Sequence, residues 1–167
     1  MSNQLTFSMQ QQLQTEWCWA AVSASVSGFF GTPPGPSGGT WQQCEVVNNQ
    51  QGQTTCCQNG GSAQCNVPWY LEKALTCIGH LAAPPTSGAE TFSYIQSEID
   101  AGRPVGVRIG WFGGGGHFVI VRGYDDTAGN QLVDVEDPWY GPSIVDYAAF
   151  ATAYQGAGSW TDTYPIN

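Results

Sequence analysis

The chain's 167 residues suffice for one domain with a substantial core, and 41% hydrophobic with 13% aromatic residues exclude a disordered chain. Thirteen acidic residues against four basic ones (Lys73, Arg103, Arg108, Arg122) give a net charge of −9. Such a chain repels nucleic acid and anionic membranes, and no apolar run approaches the length of a membrane span. Charged residues are only 10% while 22 residues are glycine and 10 proline, so the expected surface is Ser, Thr, Gln, Asn and Gly over a loop-rich fold.

Residues 1–11 read as an extended, Gln-rich lead-in; Met1-Ser-Asn-Gln has neither a basic nor an apolar leader segment, so a mature form whose leader is not present is expected. A long buried helix follows. Trp19, Val22, Val26 and Phe29 or Phe30 recur at helical spacing, Ala20, Ala21 and Ala24 supply small faces, and Gly28, Gly31, Pro33 and Pro34 end the pattern. Thr32–Gly39 is a loop, and Thr40 is expected to cap a short helix from Trp41 to about Asn49. After a Gly/Asn/Gln-rich loop, Asn66 is expected to cap a helix with Pro68 in its first turn, Leu71, Leu75 and Ile78 on one face, and Gly79 as its stop. Thr91 opens another helix with Phe92, Ile95 and Ile99 inward, ending at Gly102.

Strands dominate thereafter. Pro104–Ile109, His117–Tyr124, Gln131–Val135 and Ser143–Tyr147 have strand character, with a hairpin over Asp125–Asn130, a short helix at Ala148–Tyr154 and a last strand at Ser159–Tyr164. The expectation is a single α+β domain over residues 1–167, with a helical half to about residue 102 and a mainly antiparallel sheet half from about residue 103.

Six cysteines stand at 18, 44, 56, 57, 65 and 77, outside zinc-site spacings, and no metal or other cofactor is expected. Disulfides fit better and imply a secreted or periplasmic setting. Two bridges are expected among Cys44, Cys56, Cys57 and Cys65, with either Cys56 or Cys57 joined to Cys44, and Cys77 as a buried thiol on a helix face. Cys18 is different. It opens the buried helix, where unpaired N–H groups and the positive end of the macrodipole stabilise thiolate over thiol, the form a nucleophile needs.

The sheet half supplies a histidine. His117 follows four glycines, Gly113–Gly116, and begins a strong strand; His80, just past a helix end, reads as structural. A strand pairing antiparallel with the histidine strand would bring Asp137 back beside His117, able to accept from an imidazole N–H and orient the ring. Pro138 stops that strand and Trp139 is placed to cover the pair from water. Asp-Pro is also an ordinary way to start a turn.

Taken together, Gln12…Cys18-Trp19, Gly116-His117 and Asp137-Pro138-Trp139 resemble the motifs of the papain-like cysteine peptidases. The segments Glu16-Trp-Cys-Trp-Ala-Ala21, Gly116-His-Phe-Val-Ile120 and Val135-Glu-Asp-Pro-Trp139 are most similar to the compact bacterial branch that includes avirulence-effector proteases. The resemblance implies a papain-like fold with a Cys18–His117–Asp137 triad. It further implies an oxyanion hole from the Gln12 side chain and the Cys18 N–H, and a substrate cleft lined by Gly116, Trp19 and Trp139. Gln10, Gln11 and Gln14 are rival donors by composition, but Gln12 has the family spacing. The chain departs from the family in three ways: Thr-Glu-Trp-Cys-Trp replaces the usual Cys-Gly-Ser-Cys-Trp, an aspartate stands where plant papains have asparagine, and the interval from residue 18 to 117 is 99, against roughly 130 in papains.

The expected activity is thus that of a monomeric, secreted bacterial cysteine endopeptidase acting on protein or peptide through a thioester, with no nucleic-acid or membrane partner. Deamidation or acyl transfer by the same triad is one alternative, and a non-catalytic secreted binding module is another.

Overall fold

A computed structural model describes residues 1–167. The elements run β1 (Ser2–Gln4), α1 (Cys18–Phe30), α2 (Gln43–Gln51), α3 (Leu71–Cys77), β2 (Thr86–Ser87), α4 (Phe92–Asp100), β3 (Val105–Trp111), β4 (Gly116–Asp125), β5 (Leu132–Glu136), β6 (Ser143–Asp146), α5 (Tyr147–Ala153) and β7 (Gly158–Pro165). Helices fill the first half and an antiparallel sheet the second, the α+β layout read from the sequence. The sheet has the order β2-β7-β3-β4-β5-β6, and β1 continues the β3 edge of β4 by pairing with Gly123–Asp125.

The long strand β4 is the divider between two cores. Side chains alternate along a strand. Phe118 and Ile120 therefore join the core under α1–α3, with Trp17, Trp19, Val22, Val26 and Leu75. Val119 and Val121 join the core under α4 and α5, with Ile95, Ile99, Val133, Val135 and Phe150. α1 is buried without a break from Trp19 to Ser27, so small residues at 20, 21, 23, 24 and 25 let neighbours approach on every side. Its three serines there cost little. Ser23 and Ser25 donate to the carbonyls of Trp19 and Ala21 at 2.8 and 2.7 Å, and Ser27 accepts from the Trp41 N–H at 3.0 Å.

Two helix starts differ from expectation. Thr40 caps nothing; α2 begins two residues later with a capping box in which Gln42 and Glu45 satisfy each other's backbone N–H groups. Residues 66–70 are not helical, and α3 begins at Leu71 after Tyr70 in an extended conformation. Asn66 is used elsewhere: its Oδ1 accepts from the Glu16 N–H at 2.9 Å and its Nδ2 donates to Thr15 Oγ1 at 2.8 Å. Between α3 and α4 the chain contributes β2, which pairs with β7. His80 is structural, its two ring nitrogens facing the carbonyls of Thr32 and Asn167 and its ring stacked on Phe30 at 4.4 Å.

The cysteine-rich loop carries two disulfides, Cys44–Cys57 and Cys56–Cys65, while Cys18 and Cys77 are free. The Trp17 indole reaches in and donates to the Cys65 carbonyl at 2.8 Å, so the loop is fastened to the residue that precedes α1. Closing a short loop restricts the unfolded chain and typically contributes about 2–4 kcal/mol. A Cys56→Ala/Cys65→Ala double variant should lose about 2–3 kcal/mol of stability in urea unfolding followed by tryptophan fluorescence. A loss under about 0.5 kcal/mol would mean the loop is held by its packing alone.

Candidate active site

Four segments converge on one open cleft of about 410 Å³. The lead-in brings Gln12, the start of α1 brings Cys18, the start of β4 brings Gly116 and His117, and the turn after β5 brings Trp139 and Tyr140. Pro68 forms the opposite wall.

The His117–Asp137 contact depends on a register shift. From the hairpin, Asp125, Tyr124 and Gly123 of β4 face Leu132, Val133 and Asp134 of β5; beyond a bulge at Arg122, Val121 and Ile120 face Val135 and Glu136. The extra residue brings the odd-numbered residues of both strands to one face, so Asp137 and His117 lie on the same side as Val119, Val121 and Val135. His117 Nε2 donates to Asp137 Oδ1 at 2.8 Å. That leaves the second ring nitrogen for Cys18, which lines the same cleft.

Asp137 has a fully buried side chain. Taking a carboxylate out of water costs several kcal/mol. Four donors offset this. Oδ1 accepts from His117 Nε2 and from the Trp139 and Tyr140 N–H groups at 2.7 and 3.0 Å, and Oδ2 accepts from the Tyr154 hydroxyl at 2.8 Å. At about 1.5–3 kcal/mol per hydrogen bond to a charged group, the donors win. Burial pushes the Asp137 pKa up, but the hydrogen bonds and the His117 charge hold it below its ordinary 3.8. Asp137 thus accepts from His117 and starts the turn with the same carboxylate oxygen.

The same balance settles His117. Burial disfavours the charged ring, yet the hydrogen bonds to Asp137 and Cys18, with their negative charge, outweigh it and raise the pKa from 6.5 to about 9.

Two sequence expectations are revised. Trp19 does not line the cleft: it is fully buried, and its indole donates to the Val67 carbonyl at 3.0 Å, fixing the wall that ends in Pro68. Trp139 does not shield the pair, being 51% exposed at the cleft rim. The ring stacked on His117 is Trp111, at 5.8 Å and 18°, with Tyr140 edge-on at 6.2 Å. Trp111 ends a strand in an ordinary hairpin pattern, and nothing local marked it. Gly116 lines the cleft and makes room for the guanidinium of Arg108, which would lie 2.7 Å from any Cβ placed there.

Gln12 is buried at the cleft, held by its N–H donating to the Pro138 carbonyl at 2.9 Å. Its side-chain Nε2 donates to the carbonyls of Gln14 and Thr15 at 2.8 and 2.9 Å, which uses both amide protons, and its Oε1 is buried without a partner. Gln10 and Gln11 are engaged by Gln43, which donates to the Gln10 side chain and the Gln11 carbonyl.

The profile of the Peptidase_C39 like family matches residues 4–163. The chain belongs to that family. The match supports the papain-like cysteine peptidase resemblance read from the motifs, and it spans nearly the whole length. Solved structures similar to this member of the Peptidase_C39 like family include the Pseudomonas avirulence protein AvrPphB, with a TM-score of 0.45 and 11% identity over 96% of this chain and 97% of that one. Another is digestive procathepsin L 3 of the Tenebrio molitor larval midgut, with a TM-score of 0.46 and 12% identity over 99% of this chain and 67% of that one. No curated protein matches the chain significantly in sequence.

The ring charge makes a pH prediction. Because the His117 pKa is raised, its contribution to stability is full below 6.5 and is lost as pH rises through about 9. Nitrogen NMR of the imidazole should give a midpoint near 9, and Asp137→Asn should bring it down. A parent midpoint near 6.5 would show that the ion pair does not form in solution.

Proposed function

We propose that the chain is a cysteine endopeptidase in which Cys18 is the nucleophile, His117 the base and acid, and Asp137 the residue that orients His117. The observation that carries this reading is that Cys18 and His117 line one cleft while Asp137, buried behind the ring, lies 2.8 Å from His117 Nε2. The cleft is open beside Cys18, which gives a polypeptide access to the sulfur. A thiolate on Cys18 attacks the peptide carbonyl carbon, the C–N bond breaks as His117 delivers its proton to the leaving amine, and a thioester remains. Water, losing a proton to His117, then attacks the thioester and returns the thiolate.

The oxyanion is assigned to the Cys18 N–H and the Gln12 amide. At rest both Gln12 amide protons serve the Gln14 and Thr15 carbonyls, so one must turn to the oxyanion as it forms. That exchange sacrifices one hydrogen bond for a charge-assisted one, a net gain present only when the substrate oxygen carries charge. Two disulfides in the fold fit an oxidising environment, and we assign the protein to a secreted or periplasmic setting, as a monomer acting on protein or peptide.

Mass spectrometry of a protein substrate tests the reading: new termini are expected, and Cys18→Ala should abolish them without unfolding the chain. A mass gain without new termini would instead mark a side-chain deamidase. Iodoacetamide at about pH 6 should label Cys18 well ahead of Cys77, whose thiol is pushed up by burial. Faster labelling of Cys77 would remove Cys18 as nucleophile.

Gln12→Ala should lower kcat by about a hundredfold with little change in substrate binding, since the charge it binds appears after binding. Alkylation forms no oxyanion and should be unaffected in this variant. A parallel fall in both rates would assign Gln12 to holding the helix end.

A further inference from the structure

We infer that Tyr154 is a positioning residue for the candidate triad, acting through Asp137: its hydroxyl holds the second carboxylate oxygen and keeps the carboxylate ionised and turned toward His117. The inference rests on the proposed role of Asp137.

The geometry is unequal at the two oxygens of Asp137. Oδ1 has three donors, and two of them are backbone N–H groups that no side-chain change removes. Oδ2 has one donor, the Tyr154 hydroxyl at 2.8 Å. Both residues are 2% exposed, so water is not available to replace it. A lone donor on a buried carboxylate oxygen decides whether that oxygen stays charged or takes a proton. Protonation at Oδ2 would remove the charge that His117 leans on.

Tyr154 is built to stay in place. It follows the last residue of α5, its backbone bridges to Gly158, and its ring packs edge-on against Phe150 at 5.3 Å. Phe150 in turn packs on Trp160 of β7 at 5.4 Å. A polar file thus runs from Tyr154 through Asp137 to His117 at the cleft. Burial, and next the Asp137 charge, raise the Tyr154 pKa above its ordinary 10, so the phenol remains a donor wherever the site is used.

The titratable groups facing Asp137 are His117 and Tyr154. Glu136, its neighbour in the chain, lies on the opposite face with Arg122 at 2.6 Å. Cys18 reaches Asp137 only through the His117 ring. A pH effect of changing Tyr154 therefore has a single route.

Tyr154→Phe keeps the ring and its packing and deletes the donor. The acid-side inflection of the His117 ring signals, which follows protonation of Asp137, should move up by about one pH unit or more. In an Asp137→Asn background the same change should leave the His117 titration where it was. Phe150→Leu, which opens space beside the Tyr154 ring and lets its hydroxyl drift from Oδ2, should move the inflection the same way by a smaller amount. An unmoved inflection in folded Tyr154→Phe overturns the inference, and so does an equal shift in the Asp137→Asn background. Should Tyr154→Phe not fold, an unmoved inflection in folded Phe150→Leu would equally overturn it. These readouts need no turnover. If the parent cleaves nothing, the peptidase reading falls by its own test, and the titrations still decide the role of Tyr154.

Discussion

The site depends on a contact between two strands. His117 and Asp137 meet because β4 carries one residue more than β5 across the bulge at Arg122. Were the pairing regular from the hairpin onward, Ile120 would face Asp137, and the carboxylate would point to the opposite face from His117. The bulge has a side-chain reason. Arg122 reaches Asp134 at 3.1 Å and Glu136 at 2.6 Å on the face away from His117. One guanidinium thus serves both acidic residues of β5 that flank Val135, and the irregularity that costs a ladder hydrogen bond places a buried ion cluster on one face and an acid–imidazole pair on the other.

That ion cluster also governs the lead-in. The Phe7 carbonyl accepts from Arg122 Nη1 at 2.8 Å, Glu136 accepts from the Met9 N–H at 2.9 Å, and Gln4 donates to Asp134. The extended segment is pinned along the sheet before it crosses to the helical half at Gln12. Fixing an otherwise unstructured chain costs about 1–2 kcal/mol per residue in entropy, and hydrogen bonds to charged groups are what offset it. The two halves are joined by polar contacts of this segment on one side and by β4 side chains in the α1 core on the other.

How much of this was legible in the sequence follows from how local each signal is. The helix led by Cys18, the strands from Val105 to Asp146 and the nearness of Asp137 to His117 rest on periodicity, on glycine and proline punctuation, and on the short hairpin between strands. Those are near-neighbour effects. The roles of Trp19, Trp111 and Tyr154 are set by long-range packing. Trp19 follows Cys18, but its helical position turns it into the core. Tyr154 comes 17 residues after Asp137, beyond a turn, a strand and a helix, so no spacing rule links them. Asn66 looked like a helix cap because asparagine commonly is one, and it was recruited to brace Thr15 and Glu16 instead. The choice between Cys56 and Cys57 as partner of Cys44 was likewise closed to the sequence, since adjacent cysteines differ only in which way their side chains point.

The start of α1 shows what the site demands of its scaffold. Helices usually begin with Ser, Thr, Asp or Asn, whose side chain satisfies a free N–H, and losing such a cap costs about 1 kcal/mol. Here the cap position is Trp17, no side chain caps the helix, and no acidic residue stands in its first turn. A carboxylate or hydroxyl at that position would occupy the N–H groups that face Cys18 and would cancel the positive end of the helix with a permanent charge or dipole. Trp17 instead turns its indole to the Cys65 carbonyl and contributes buried apolar area to the core. The helix end is held by packing and by a disulfide-bonded loop, leaving its N–H groups open to the negative charge that the proposed reaction would place on a carbonyl oxygen. The loop disulfides and the uncapped helix are therefore two parts of one arrangement: the stability forgone at the helix N-terminus is recovered where it does not compete for the charge.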